Sequence, residues 1–286
     1  MESKLTEVSP CLGLTNLSAE KLQPLEVALT SILAMPIARD TYAQMIDGTS
    51  VRDHPSPSNE AIQQYEEIRK GFAVRALKID TKLIQDYLNA PLDSQVHLFR
   101  LLEITAASVH ALAGMTYASF HPDTDIKPQE PRGGHLAAFY GTDQFYVDFY
   151  HDDYRLLEKY PSGLLNVVGY WAETQLFGGV VLFDRGDSGL EINSAFVHPR
   201  DPKRFSRAYQ LSSQQMARFS DLSNPHSAAQ LPSAESVLPF TQEVDAHTER
   251  TWTWTNGRPV RIYKNDYDKP PPACYSDHCV MKVTTK

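Results

Sequence analysis

Between Leu164 and Pro199 the chain is mostly apolar, yet it carries Glu173, Asp184, Arg185, Glu191 and His198. Glu173 follows Trp171 inside an apolar run. A carboxyl group facing inward there must be paired or held protonated, and either condition suits a general acid or base. Arg185 could pair with a carboxylate or orient an anionic substrate. His198 adds a histidine at the end of the third apolar run, LEINSAFV. Glu173, Asp184, Arg185 and His198 are therefore the candidate catalytic residues. Tyr170, Trp171, Phe177 and Phe183 could line an apolar pocket. Tyr170, Trp171 and Phe183, with Glu191 and Arg207, are the candidate substrate contacts. The competing reading makes the charges an ion-pair network that pins strand register and the aromatic rings ordinary core.

A second constellation combines His151-Asp152-Asp153 with the distant His198. Histidine, spacer, aspartate and a remote histidine is the layout of a facial triad for non-haem iron, with Arg204 or Arg207 available to pair with a keto-acid carboxylate. The alternative is a surface turn at His151-Asp152-Asp153. Cys274-Tyr-Ser-Asp-His278-Cys279 has soft ligands, but a closed zinc site needs a fourth and no second cysteine pair exists. No metal is assigned. The glycine fingerprint of dinucleotide sites, the phosphate loop and the Gly-x-Ser-x-Gly elbow are all missing, so dehydrogenase, kinase and α/β-hydrolase readings fall and no cofactor is expected.

The elements that must position these groups change character midway. Residues 1–17 read as a lead-in. From Ser18, apolar residues recur at spacings of three and four through Leu33, and Pro36 should interrupt that helix. Residues 47–60 read as a loop ending at Ser58, an N-cap for the next helix. Thr81 to Leu88 is a short helix. Ser94 to Tyr117 is the longest helical signal, and His97 and His110, on or beside its apolar face, read as packed and satisfied histidines.

Prolines and glycines in 120–134 mark the boundary to a β-rich half. There LLNVVGYWA, GGVVLF and LEINSAFV read as three strands of an antiparallel meander. Ser212 caps a short helix over 212–222, and Asn256-Gly257 signals a tight hairpin. The expected architecture is α+β: one domain over 18–286, helical over 18–119, and mainly antiparallel β over 135–286. The long helix is expected against the sheet face, with the site where sheet and helices meet.

At 286 residues the chain can bury a sizeable core. Its formal net charge of −8 argues against binding a phosphate backbone, so no nucleic-acid partner is expected. No window approaches the roughly 20 apolar residues of a membrane span. The first sixteen residues hold no apolar core of signal length, and three cysteines are too few for a disulfide framework. Together these suggest a cytoplasmic location. The expected partner is a small molecule, and a homo-oligomer stays open.

At YPSGLLNVVGYWAETQLFGGVVLFDRG the chain resembles a group of fungal proteins. They share a glycine-containing turn (here Pro161 to Gly163), a VVGYWAE-like segment (Val167 to Glu173) and GGVVLFDRG (Gly178 to Gly186). A strand ending in His before an Arg-containing arm follows (Phe196 to Arg207). The resemblance covers about the middle quarter of the chain. It implies fungal origin and attaches no activity, though tailoring enzymes of specialised metabolism are among such proteins. The leading functional reading is a cofactor-independent cyclase, isomerase or dehydratase acting on a small, largely apolar metabolite. A non-catalytic binding or interaction protein is the alternative, and an iron oxygenase using His151, Asp153 and His198 is the third.

Overall fold

The computed structural model describes residues 11–48, 56–122, 149–200, 207–224, 234–250 and 261–269. The helical half opens with β1 (Cys11–Gly13), α1 (Ala19–Leu33) and α2 (Pro36–Asp47). Part of the expected lead-in is thus ordered, because β1 pairs with β2 (Lys78–Asp80). Pro36 opens α2 rather than interrupting a helix, since its fixed φ suits the first helical position. Then come α3 (Asn59–Gly71), α4 (Thr81–Asn89) and α5 (Gln95–Phe120). Ser58 accepts from Ala61 N and caps α3 as the sequence assigns, and Ser94 accepts from His97 N and caps α5.

The segment LLNVVGYWA is not a strand. It begins α6 (Leu164–Phe177), a helix buried on nearly all sides. A helix with no solvated face shows no 3.6-residue alternation, and its apolar run imitates a buried strand. The terminator was nevertheless visible. Gly178 ends α6 at φ +82°, and a Cβ there would lie 2.3 Å from Phe240 O. On the other face, a Cβ on Gly169 would meet the His110 ring at 2.4 Å, so α5 and α6 close to contact that only glycine permits.

The remaining strands are β3 (Val180–Asp184), β4 (Ala195–His198), β5 (Arg207–Gln210), β6 (Thr248–Arg250) and β7 (Ile262–Tyr263). They form one antiparallel sheet in the order β6-β5-β4-β3-β7. The meander therefore starts at Val180 and runs through β6, and β7 returns beside β3. Val180 pairs with His198 and Phe183 with Ala195, which puts His198 at the α6 end of the sheet. Two further helices, α7 (Ser213–Leu222) and α8 (Ala234–Val237), follow β5. Ser212 and Gln215 make a reciprocal capping box on α7. The hairpin expected at Asn256-Gly257 and the Cys274–Cys279 cluster lie outside the described residues.

The protein is α+β, with helices mostly in the N-terminal half and an antiparallel sheet in the C-terminal half. The long helix α5 does not lie on the sheet. It packs along α6, and α6 carries the contact to β3. Buried apolar side chains of both halves form one cluster from Leu14 to Phe240. By length and composition α5 could cross a membrane, in contrast to the expectation from its interrupted apolar runs; 72% of its apolar window is buried inside this fold.

Candidate functional site

Glu173 lies at the centre of a buried polar network. Helix α6 points it at β3 and β7, and it is fully enclosed. Its Oε1 takes Lys264 Nζ at 2.5 Å and His110 Nδ1 at 2.7 Å, while Oε2 accepts from Val181 N at 3.3 Å. Burial alone would raise its pKa. Lys264 and His110 outweigh that, and the carboxyl is held below its ordinary range. Burial dominates at His110 and pushes its pKa down despite Glu173. The imidazole is therefore neutral: Nδ1–H donates to Glu173 and Nε2 accepts from Asn166 Nδ2 at 3.1 Å. The ion pair here is Glu173 with Lys264. His110 is the packed, satisfied histidine its position suggests.

The other charged candidates are matched in the same way. Arg185 meets Glu103 Oε1 at 2.5 Å and donates to the Lys264 carbonyl. Glu103 also takes Arg100, which reaches Asp86. Asp184 pairs with Arg261 and accepts from Gly186 N, closing the turn after β3. Glu191 belongs to that exposed turn, bonded to Ser188 and Asn193. Arg207 is exposed on β5, opposite Arg250. Trp171 packs edge-on to Phe149, and Phe183 lies under the Arg185 guanidinium. Of the predicted site, Glu173, Asp184 and Arg185 form structural ion pairs. Trp171 and Phe183 are core, Glu191 lies in the turn after β3, and Arg207 is exposed on the strand paired with that of His198.

His198 stands elsewhere, with partners the spacing only half revealed. A 3₁₀ turn at Asp152–Tyr154 delivers three residues to the end of β4. His198 Nε2 lies 3.2 Å from Asp153 Oδ2, and Tyr154 Oη lies 3.0 Å from His198 Nδ1. A carboxylate beside Nε2 favours the proton there, which leaves Nδ1 to accept from the Tyr154 hydroxyl. His198 and Tyr154 are almost wholly buried, while Asp153 reaches solvent with 31% of its side chain exposed.

His151 lies against both, its ring centroid 5.0 Å from each. Its Nδ1 accepts from Asp153 N, so the neutral ring carries its proton on Nε2. Burial, then the neighbouring His198, push its pKa down to about 4. The Pro199 carbonyl favours the protonated ring, but Nε2 has no partner in hydrogen-bonding geometry.

Tyr170 joins the two networks. Its ring stacks on Tyr154 at 4.5 Å and takes His110 edge-on at 4.7 Å. Its hydroxyl donates to the Asp268 carboxylate at 2.9–3.0 Å. Burial raises Asp268 to about 6, against bonds and charges that favour ionisation. Tyr160 packs against Tyr170 and Tyr267, and its hydroxyl is buried without a partner.

Tyr154, Lys264 and Asp268 were missed from sequence. The one signal for Tyr154 was its place directly after His151-Asp152-Asp153. The three residues proposed for iron do come together. Among the described residues, however, no group of three His, Cys, Asp or Glu side chains is arranged to hold a metal ion. Tyr154 and Asp153 occupy the two nitrogens of His198. A surface cleft of about 400 Å³, lined by Gln210, Ser212, Glu243, Asp245 and His247, contains none of these groups. Comparison with family models, with characterised proteins and with solved structures finds no match to the chain.

Proposed function

We propose that the protein acts on a small, largely apolar molecule by acid–base chemistry, with Asp153, His198 and Tyr154 as the working group. The observation that carries this reading is the continuous line from the Asp153 carboxylate through His198 to the Tyr154 hydroxyl. Burial raises the Tyr154 pKa well above its ordinary value, so a free phenolate is not populated. A relay avoids it. As the phenolic oxygen takes a proton from the substrate, its own proton passes to His198 Nδ1, and Asp153 stabilises the imidazolium. Return of the proton to another substrate atom completes an isomerisation, a cyclisation or, with loss of hydroxide as water, a dehydration. Each is redox-neutral and balances without a cofactor.

Specialised metabolism is the setting that the resemblance to fungal sequences would imply for such an enzyme. A second reading, a non-catalytic small-molecule-binding or interaction protein, draws on the internal partners of Glu173, Asp184 and Arg185, whose charges leave nothing over for a substrate. Incubating wild type, Tyr154→Phe and His198→Gln with a small-molecule extract of the source organism separates the two by mass spectrometry. The enzyme reading expects one compound to give an isomeric or water-loss product with wild type, and about a hundredfold less with each variant. Equal conversion by Tyr154→Phe would refute the relay, and no conversion by wild type would favour the binding reading.

A further inference from the structure

The segment that closes the tyrosine cluster is held mainly by its side chains. Residues 261–269 comprise β7, an edge strand with two ladder pairs, and one 3₁₀ turn at Asp266–Asp268. Beyond those pairs, Lys264 reaches Glu173, Asp268 holds Tyr170 and Tyr267 packs on Tyr160. Two of these contacts fall on Tyr170 and Tyr160, and Tyr170 stacks against Tyr154. The closed arrangement is also imperfect: Tyr160, whose ring meets that of Tyr267, has its hydroxyl buried with no partner. Buried polar groups without partners are rare in native structures, and a hydroxyl in that condition is satisfied once water or a ligand oxygen reaches it. His198 and Tyr154 are sealed at 1% and 2% exposure, so some element must move before a small molecule reaches them.

We propose that residues 261–269 form a strap that swings away from the tyrosine cluster, admits a small molecule bearing an acceptor oxygen, and leaves the Tyr160 hydroxyl to donate to it. The chemistry inside rests on the relay described above; the motion does not. Sub-global openings of this kind draw on short elements with few backbone bonds. Lys264 with Glu173 and Asp268 with Tyr170 define the closed position and reform together when the strap returns.

A cross-strand disulfide tests the motion. Arg185 N donates to Arg261 O, which makes Asp184 and Ile262 the neighbouring non-hydrogen-bonded pair, where side chains approach closely. Asp184→Cys with Ile262→Cys, in a chain with Cys11, Cys274 and Cys279 changed to Ser, pins the strap when oxidised and frees it when reduced. Hydrogen exchange is followed by mass spectrometry on peptides covering 261–269, 151–163 and the middle of α5. In the reduced protein the first two should exchange together, about tenfold or more faster than α5. Oxidation should slow both and leave α5 unchanged.

Tyr267→Ala in the wild-type background provides the opposite perturbation without a disulfide, and should speed both peptides. Exchange of 261–269 only as slowly as α5, or a cross-link that slows the strap but not 151–163, would overturn the proposal. Turnover distinguishes it from the relay. Activity lost in Tyr154→Phe with no strap motion keeps the relay and removes the strap, and strap motion with full activity in Tyr154→Phe does the reverse.

Discussion

Glu173 and Lys264 are separated by 91 residues in sequence and by 2.5 Å in the fold, and neither has more than a trace of solvent contact. Lys264→Met leaves the Glu173 carboxylate buried with only His110 and Val181 N to stabilise it. Glu173→Gln leaves the Lys264 ammonium buried without its paired carboxylate, with Asp268 among the charges that still act on it. It also turns a donor toward Val181 N in one amide orientation. Removing one partner of a buried pair costs about 3–5 kcal/mol, because the other charge stays enclosed without compensation. The double variant Glu173→Gln/Lys264→Met removes both charges and should recover much of that loss, with a coupling of about 2 kcal/mol.

Urea unfolding followed by tryptophan fluorescence measures all four proteins, and Trp171 sits two residues from Glu173 on the same helix. The pH dependence adds a second check. The folded pKa of Glu173 lies below its ordinary 4.5, so its contribution is present above that value and is lost as pH falls through the folded pKa. Glu173→Gln should lack this acid component. If either single variant lost less than about 1 kcal/mol, or the pair showed no coupling, the structural assignment of Glu173 would be wrong and it would return to the list of catalytic candidates.

Other outcomes follow from the same geometry. Asp268 titrates at about 6 in the fold against an ordinary 3.8, so the fold is favoured while it is protonated and loses that advantage as pH rises through 3.8 to 6. Asp268→Asn should accordingly raise the urea midpoint at pH 7.5 and have little effect at pH 4.5. His97 and His151 are both pushed down to about 4, chiefly by burial, and their neutral rings contribute stability above about 6.5 that is lost as pH falls toward 4. Proton NMR of the ring Cε1 resonances should show two histidines titrating near 4, and titration of both near 6.5 would contradict their packing. Gly178→Ala, at φ +82° and against Phe240 O, should cost more than about 1 kcal/mol. Gly71→Ala, with nothing within 4 Å of a Cβ, serves as the control and should cost little in thermal unfolding.

What could be read from sequence was local. Ser58 and Ser212 announce their helices because a cap is decided within four residues. VVLF in β3 is legible because β-branched and aromatic residues bounded by Gly and Asp have few other uses. Helix α6 was not, because full burial erases the polar stripe that distinguishes a helix from a buried strand. Its length and the double glycine after Phe177 were the better guides. The site was harder still. His198 could be named from its residue type, but its partner Tyr154 is 44 positions away across a 3₁₀ turn. Glu173 looked catalytic because an acid in an apolar run must have a compensating partner. Lys264 provides it from the position just after a strand of two residues, which no periodicity could reveal.

The most direct test of the relay is solvent-proton transfer to product. Wild type and Tyr154→Phe, incubated with the same small-molecule extract in D₂O, are compared by mass spectrometry for compounds that gain deuterium only when protein is present. A working Asp153–His198–Tyr154 relay predicts such a compound with wild type and about a hundredfold less exchange with Tyr154→Phe. Equal exchange by the two proteins, or none by wild type, would contradict it.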